Sequence, residues 1–214
     1  MKIFALAALM VIASSALAYV LGYRPKLKHH PAHDPFSFKI NDEKAALILR
    51  LKKMGILATD FTRTNGFNTA RCFLLDMKLA SGRERFFVYN LQKDSVELAG
   101  LVAHGSGSDK GSEELFFSNM PGSNATSLGR YRIGKPYNGK FGLAYKLYGL
   151  DDTNSKTFER FVVLHAHPCV PNGEVDPLPI CESWGCPTVA PSFLRALTTY
   201  VNNSQKPVLL WIYY

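Results

Sequence analysis

The sequence predicts a mainly β domain with two covering helices. Three observations carry this. Seven short runs rich in β-branched and aromatic residues are bounded by Gly, Asn, Asp or Ser. Only two segments repeat apolar residues at helical spacing. The last run, Val208-Leu209-Leu210-Trp211-Ile212, is apolar on successive residues, which suits a central strand and not an edge.

The chain has 214 residues, the length of one domain. Its 47% hydrophobic and 12% aromatic content supports a packed core and excludes a disordered chain. The first residues read as an export signal. Lys2 is the charged start, Ile3 to Ile12 the apolar stretch, and Ala16-Leu17-Ala18 the small-residue cleavage site, with cleavage after Ala18. That stretch is too short to span a bilayer, and no later segment is long and apolar enough to do so, so no integral membrane segment is expected after cleavage. Residues 19–40, with Tyr23-Arg24-Pro25-Lys26-Leu27-Lys28-His29-His30-Pro31, read as a basic linker broken by proline. His29, His30 and His33 fit a solvated linker better than a metal set. The folded domain is expected over residues 41–214. Loss of Lys2 takes the net charge from +8 to +7. An exported basic protein is drawn to anionic polymers. An acidic cell wall suits that description, and nucleic acid does not.

The first helix is expected to open at Asn41 as N-cap, with Asp42 and Glu43 in its first turn. Leu47, Ile48, Leu51 and Met54 mark its buried face, and Gly55 is expected to stop it. Strands are expected at 71–79, 84–91, 97–103, 128–133, 142–147, 160–165 and 207–214, with Ser81-Gly82-Arg83 turning the chain between the first two. The glycine- and serine-rich segment from His104 to Gly129 interrupts this rhythm; a loop of that length is expected to line a site. A second helix is expected from Pro191, at N1, to Asn202, with Phe193, Leu194, Leu197 and Val201 on one face.

There are four cysteines, which allow three pairings. Cys169 and Cys181 bracket a loop rich in proline and acid and are expected to close it as a bridge. Cys72, within Cys72-Phe73-Leu74-Leu75, then reads as a small buried residue and Cys186 as a free thiol.

The chemistry centres on Cys186. The apolar run Phe161-Val162-Val163-Leu164 delivers His165, and Gly185-Cys186 follows, with the cysteine 21 residues beyond the histidine. Thiol catalysis needs a base beside the sulfur and donors for an oxyanion. His165 is the expected base, ahead of His167. Gly185 lets the backbone approach a substrate carbonyl, and the amides of Gly185 and Cys186 are the expected oxyanion donors. His165, His167, Cys169, Cys181 and Cys186 do not follow a standard zinc spacing, so no metal and no cofactor is expected.

Ser183-x-Gly185-Cys186 after a strand-end histidine resembles the murein L,D-transpeptidase catalytic domain family, a branch of the YkuD-like L,D-transpeptidases. The resemblance extends upstream through Ala103-His104-Gly105, Phe117-Ser118-Asn119-Met120-Pro121-Gly122-Ser123, Ser127-Leu128-Gly129-Arg130-Tyr131, Tyr137-Asn138-Gly139-Lys140-Phe141-Gly142 and Gly149-Leu150-Asp151, and covers residues 95–214. It implies a mainly β, L,D-transpeptidase-like β-sandwich or barrel with two or three short covering helices, acting on peptidoglycan stem peptides. The Cys186 thiolate would attack the carbonyl of an L-residue followed by a D-residue, and an amine of another stem peptide, a protein amine or water would resolve the thioester. By position, Cys186 is the nucleophile, His165 the base and Gly185 an oxyanion donor. Ser183, Trp184, His104, Tyr131 and His167 fall to substrate binding. Three departures stand out. Trp184 stands where the common core has histidine, Ala166 where glycine usually follows the base, and Cys181-Glu182 where the branch often has glycine-arginine. The expected location is the periplasm or cell wall. A noncatalytic wall-binding protein, and a sortase-like cysteine acyltransferase using Arg195, are the alternatives; the absence of a Thr-Leu-x-Thr-Cys core counts against the second.

Overall fold

A computed structural model describes residues 35–111 and 114–214. The signal read at 1–18 and the linker up to residue 34 lie outside the described residues. The compact unit that carries the sheet is Ala45–Tyr214; in the other, Met1–Lys44, residues 35–44 are helical.

Helix α1 runs from Pro35 to Thr64. It starts before Asn41 and passes through Gly55, both against expectation. The glycine is there for packing. A Cβ on Gly55 would lie 2.6 Å from Cε1 of Tyr89, so the missing side chain lets the helix sit on the sheet. Leu51, Met54 and Ala58 recur at helical spacing and are buried against Cys72, Leu74, Phe87 and Tyr89.

Strands follow at Arg71–Asp76 (β1), Phe86–Asn90 (β2), Ser95–Gly100 (β3), Val102–Ala103 (β4), Gly129–Gly139 (β5), Gly142–Gly149 (β6), Val163–Ala166 (β7), Thr188–Val189 (β8) and Leu209–Tyr213 (β9). A short 3-10 helix, Asp152–Asn154, lies between β6 and β7, and helix α2 spans Pro191–Asn202 as the sequence predicts, with Pro191 at its start. Several features differ from expectation, β5 running on to Gly139 and β7 starting only at Val163. The single strand read at 97–103 is split at Leu101, and the two-residue β8 lacks any sequence pattern that would mark it.

Among the described residues the strands form one sheet in the order β3-β2-β1-β9-β5-β6-β7-β8-β4. The outermost strands, β3 and β4, are separated in the chain by Leu101 alone. The sheet must therefore curl so that its ends meet at that residue, which gives the barrel-like form that the resemblance implies. β9 lies between β1, parallel, and β5, antiparallel, the central place its apolar run requires.

Period-two alternation sorts the core. On β1, Phe73 and Leu75 face the main core with α2 residues Phe193, Leu194 and Leu197, while Cys72 and Leu74 face α1. β9 repeats the division, Leu210 and Ile212 on one side and Leu209 on the other. Each such leucine, fully buried, stabilises the fold by about 1.5–3 kcal/mol.

Candidate active site

β7 is buried from Leu164 to its end at Ala166, and the next residue, His167, is half-buried. It pairs antiparallel with β6, setting Ala144 beside His165, and parallel with β8, setting Thr188 beside His165. Cys186 lies two residues before β8. The sheet register thus brings the imidazole and the thiol to one place from positions far apart in the chain.

A cavity of about 220 Å³ opens there, lined by Phe141, His165, His167, Cys169, Glu182, Ser183, Trp184, Cys186 and Thr188. Phe141 was not marked by the sequence as a site residue. It sits in the two-residue loop joining β5 to β6, where Gly139 pairs with Gly142. Its ring stacks on His165 with centroids 5.4 Å apart and meets His167 edge-on at the same distance. Trp184 is 80% exposed, its ring turned to solvent and not to the core.

The local backbone is held by hydrogen bonds of Ser183. Its amide donates to the carbonyl of His104 at 2.8 Å, its carbonyl accepts from the Ser106 amide at 2.8 Å, and its hydroxyl donates to the carbonyl of Cys186 at 2.7 Å. Gly185 adopts φ of +103°, a region that favours glycine. A Cβ there would lie 2.8 Å from the carbonyl oxygen of Ala125. At rest the Gly185 amide donates to Ser183 Oγ at 3.1 Å.

A family profile for the L,D-transpeptidase catalytic domain (YkuD_2) matches residues 44–213. The chain belongs to the L,D-transpeptidase catalytic domain family. This family acts on peptidoglycan. A comparison with curated proteins gives no match. Similar solved structures include the helical cell shape determining protein Pgp2 from Campylobacter jejuni, with 14% identity, a TM-score of 0.44 and coverage of 67% of this chain and 47% of that one. Bd1075 from Bdellovibrio bacteriovorus has 17% identity, a TM-score of 0.40 and coverage of 66% and 48%. An L,D-transpeptidase from Xylanimonas cellulosilytica has 12% identity, a TM-score of 0.36 and coverage of 73% and 69%. This transpeptidase-family chain spans about half the length of the first two.

In this L,D-transpeptidase fold, Cys169 and Cys181 form the expected disulfide, and Cys72 and Cys186 are free, Cys72 buried. The bridge takes two thiolates out of the zinc set considered above. Burial raises the Cys186 thiol above its ordinary range, and a hydrogen bond from the Val163 amide and the charge of Arg160 partly offset this. Burial lowers His165, against a hydrogen bond to the Ala166 carbonyl, and His167 adds to the lowering. His165 is therefore a neutral imidazole at neutral pH, able to accept a proton.

Arg160 escaped the sequence reading, because it sits in an unpatterned turn. Its guanidinium donates to the carbonyls of Ser118 at 2.7 Å and Ala125 at 2.5 Å, tying the glycine-rich loop to the segment behind Gly185. That loop was expected to line the site. None of its described residues lines that cavity; it packs behind the Ser183–Cys186 segment through Gly105, which bridges to Ser183, and through the Ser106 amide on the Ser183 carbonyl. Two residues assigned to substrate binding also lie elsewhere. Tyr131 is fully buried, its hydroxyl donating to the Ser127 carbonyl at 2.6 Å, so it braces the loop from within the core. His104 is 6% exposed and stands behind Ser183, outside the cavity wall.

Among the described residues, no helix is long and apolar enough to cross a membrane.

Proposed function

We propose that this protein is an exported cysteine transpeptidase acting on peptidoglycan stem peptides at an L,D peptide bond. The observation that carries this is one cavity, in a chain of this family, holding a free thiol at Cys186 and a buried neutral imidazole at His165. The Thr188 hydroxyl turns from Nε2 of His165 to the Cys186 carbonyl, 3.3 Å away, which frees Nε2 to take the Cys186 proton, and the thiolate attacks the carbonyl carbon of the L-residue. The oxyanion is received by the Cys186 amide, and by the Gly185 amide once that bond is released from Ser183. The tetrahedral intermediate collapses, the C–N bond breaks, and His165 returns its proton to the leaving amine. A thioester on Cys186 remains, and an amine or water resolves it.

Ser183 holds the nucleophile's backbone. Trp184 and Phe141 offer apolar walls for the stem peptide, and His167 stands beside them on the rim. The signal sequence and basic charge support work in the periplasm or at the cell wall.

The test uses purified sacculi and a carbapenem. The expected result is a mass increase of one drug equivalent on Cys186, together with new or trimmed muropeptides read by mass spectrometry. A folded protein that neither acylates nor alters muropeptides would defeat this reading and favour a noncatalytic wall-binding role.

A further inference from the structure

Glu182 lines the same cavity as Cys186. Among the described lining residues it is the one carboxylate, and none is Lys or Arg. This places a negative spot at the candidate site of a chain whose net charge is +8.

Behind Glu182 lies a buried histidine whose protonation is set by its neighbours. Arg85 is 1% exposed. Its guanidinium donates to the Val102 carbonyl at 3.0 and 2.9 Å and to the Leu79 carbonyl at 3.0 Å. The remaining contact is to His104 Nδ1 at 2.8 Å. A guanidinium only donates, so Nδ1 accepts, and the ring proton of the neutral imidazole is on Nε2. Burial pushes His104 down to about 4, so it is neutral at physiological pH. The side chain is 8% exposed, and Nε2 is buried with no hydrogen-bond partner. That N–H stands 3.7 Å from Oε1 of Glu182. Asp109 adds a second carboxylate, with its oxygen within 4.8 Å of both.

Three such groups resemble a metal set, but the tautomer argues otherwise. A metal ligand must present a lone pair, and Nε2 carries a proton while Arg85 occupies Nδ1. A primary ammonium needs only acceptors, and carboxylates provide charge-assisted ones. We propose that Glu182, with Asp109 beside it, is a subsite for the primary ammonium group of the acyl acceptor, and that His104, whose unpartnered Nε2–H faces the Glu182 carboxylate at 3.7 Å, is a positioning residue that closes on that carboxylate when the ammonium binds. This rests on the transpeptidase reading and names the acceptor's chemistry. The bound ammonium releases one proton to solvent, and the amine attacks the thioester carbonyl. The C–S bond breaks, an amide forms, and the second proton passes to the Cys186 thiolate. Thioester and ammonium thus give amide, thiol and one proton.

The experiment has two arms. In the first, the full chain is titrated with Nα-acetyl-lysine methylamide, which offers one ammonium, and with its Nε-acetylated counterpart, which offers none. Binding of the first and not the second is expected, weakened at least about tenfold in Glu182→Gln and partly restored in Glu182→Asp. Equal binding of both probes, or no loss in Glu182→Gln, overturns the subsite. So does tight Zn²⁺ binding that requires both His104 and Glu182 and excludes the probe, since the site is then a metal centre.

In the second arm, the acyl-enzyme formed on Cys186 partitions between the lysine probe and water. Glu182→Gln is expected to lower the ratio of aminolysis to hydrolysis about tenfold or more. His104→Leu is expected to raise the KM for amine more than it lowers kcat, with His104→Gln, which retains a donor, lying nearer wild type. An acyl-enzyme that forms normally, with an unchanged ratio in Glu182→Gln, defeats the subsite alone. Failure of the wild type to acylate defeats the transpeptidase reading, and the first arm then still decides whether an ammonium is bound.

Discussion

His165 and Thr188 stand opposite each other on parallel strands, with Nε2 of the imidazole 2.9 Å from the threonine hydroxyl. Nδ1 lies 3.2 Å from the Ala166 carbonyl, which only accepts, so Nδ1 carries the proton and Nε2 accepts from Thr188. The candidate base is therefore oriented at both nitrogens before any substrate arrives. Thr188→Val removes the hydroxyl and keeps the shape. The buried Nε2 would lose its partner at a cost of about 1–3 kcal/mol. Acylation of Cys186 should slow at least about tenfold, part of the 10²–10⁴ that a positioned base contributes. Thr188→Ser should keep most of the rate. Stopped-flow acylation with a carbapenem distinguishes these outcomes, and equal rates for Val and Ser variants would show that the hydroxyl does not orient His165.

Gly185 carries the next prediction. An alanine there would hold φ of +103° with its Cβ 2.8 Å from the Ala125 carbonyl and 3.1 Å from Arg160 Nη2. The backbone must shift, and strain of this kind costs about 1–3 kcal/mol. A displacement near 1 Å at a reacting centre costs about 10²-fold in rate. Gly185→Ala should thus lower the melting temperature modestly and crosslinking or trimming severely. An active, equally stable variant would mean that the segment tolerates another conformation.

These positions also show what the sequence could reveal. Strand alternation, the helical face of α2, the apolar β9 and the cysteine bracket were readable because each is a local pattern with one physical cause. The His165 and Cys186 pair was readable through its flanks, an apolar run and a glycine. Gly55 misled, because a glycine that admits the ring of Tyr89 looks in sequence like one that ends a helix. Thr188, Arg160 and Phe141 were missed for a different reason. Their roles arise from register and long-range contacts across the sheet, and no short-range pattern records those. Tyr131 was placed in the site by its neighbours in the chain, yet strand alternation turns its side chain into the core.

The buried His104 makes stability depend on pH. Its pKa is lowered from 6.5 to about 4 by burial first and by Arg85 next. At pH 7 the folded and unfolded chains both hold it neutral. As pH falls below 6.5 the unfolded chain takes up a proton that the folded chain refuses until about pH 4. The unfolded state thus binds more protons across that window, and stability falls as pH falls, by up to about 1.4 kcal/mol per pH unit. Below about 4 this group adds no further loss. Urea midpoints between pH 7 and pH 4.5 measure it, and His104→Gln should show a shallower decline than wild type. Parallel declines would show that His104 is protonated in the fold.

The thiol of Cys186 is raised by burial and held back by the Val163 amide and the Arg160 charge. Less thiolate is therefore present at neutral pH than for a free cysteine, so attack depends on proton removal by His165. Cys72 is fully buried and pushed far higher. Iodoacetamide should label one thiol in the native protein, at Cys186, with a rate that climbs toward alkaline pH; Cys72 should label only after unfolding. Arg160→Met removes the opposing charge and should move the Cys186 curve further alkaline. Arg160→Lys keeps the charge but gives up the two-pronged hold on Ser118 and Ala125, so its curve should stay near wild type while the melting temperature falls. Cys186→Ser should keep the fold, show no native labelling, and lose crosslinking by at least about 10³-fold, because a cooperating catalytic set fails when one member is removed. A labelling curve for wild type lying well below that of free cysteine would establish a standing thiolate–imidazolium pair, and proton removal would then precede substrate binding.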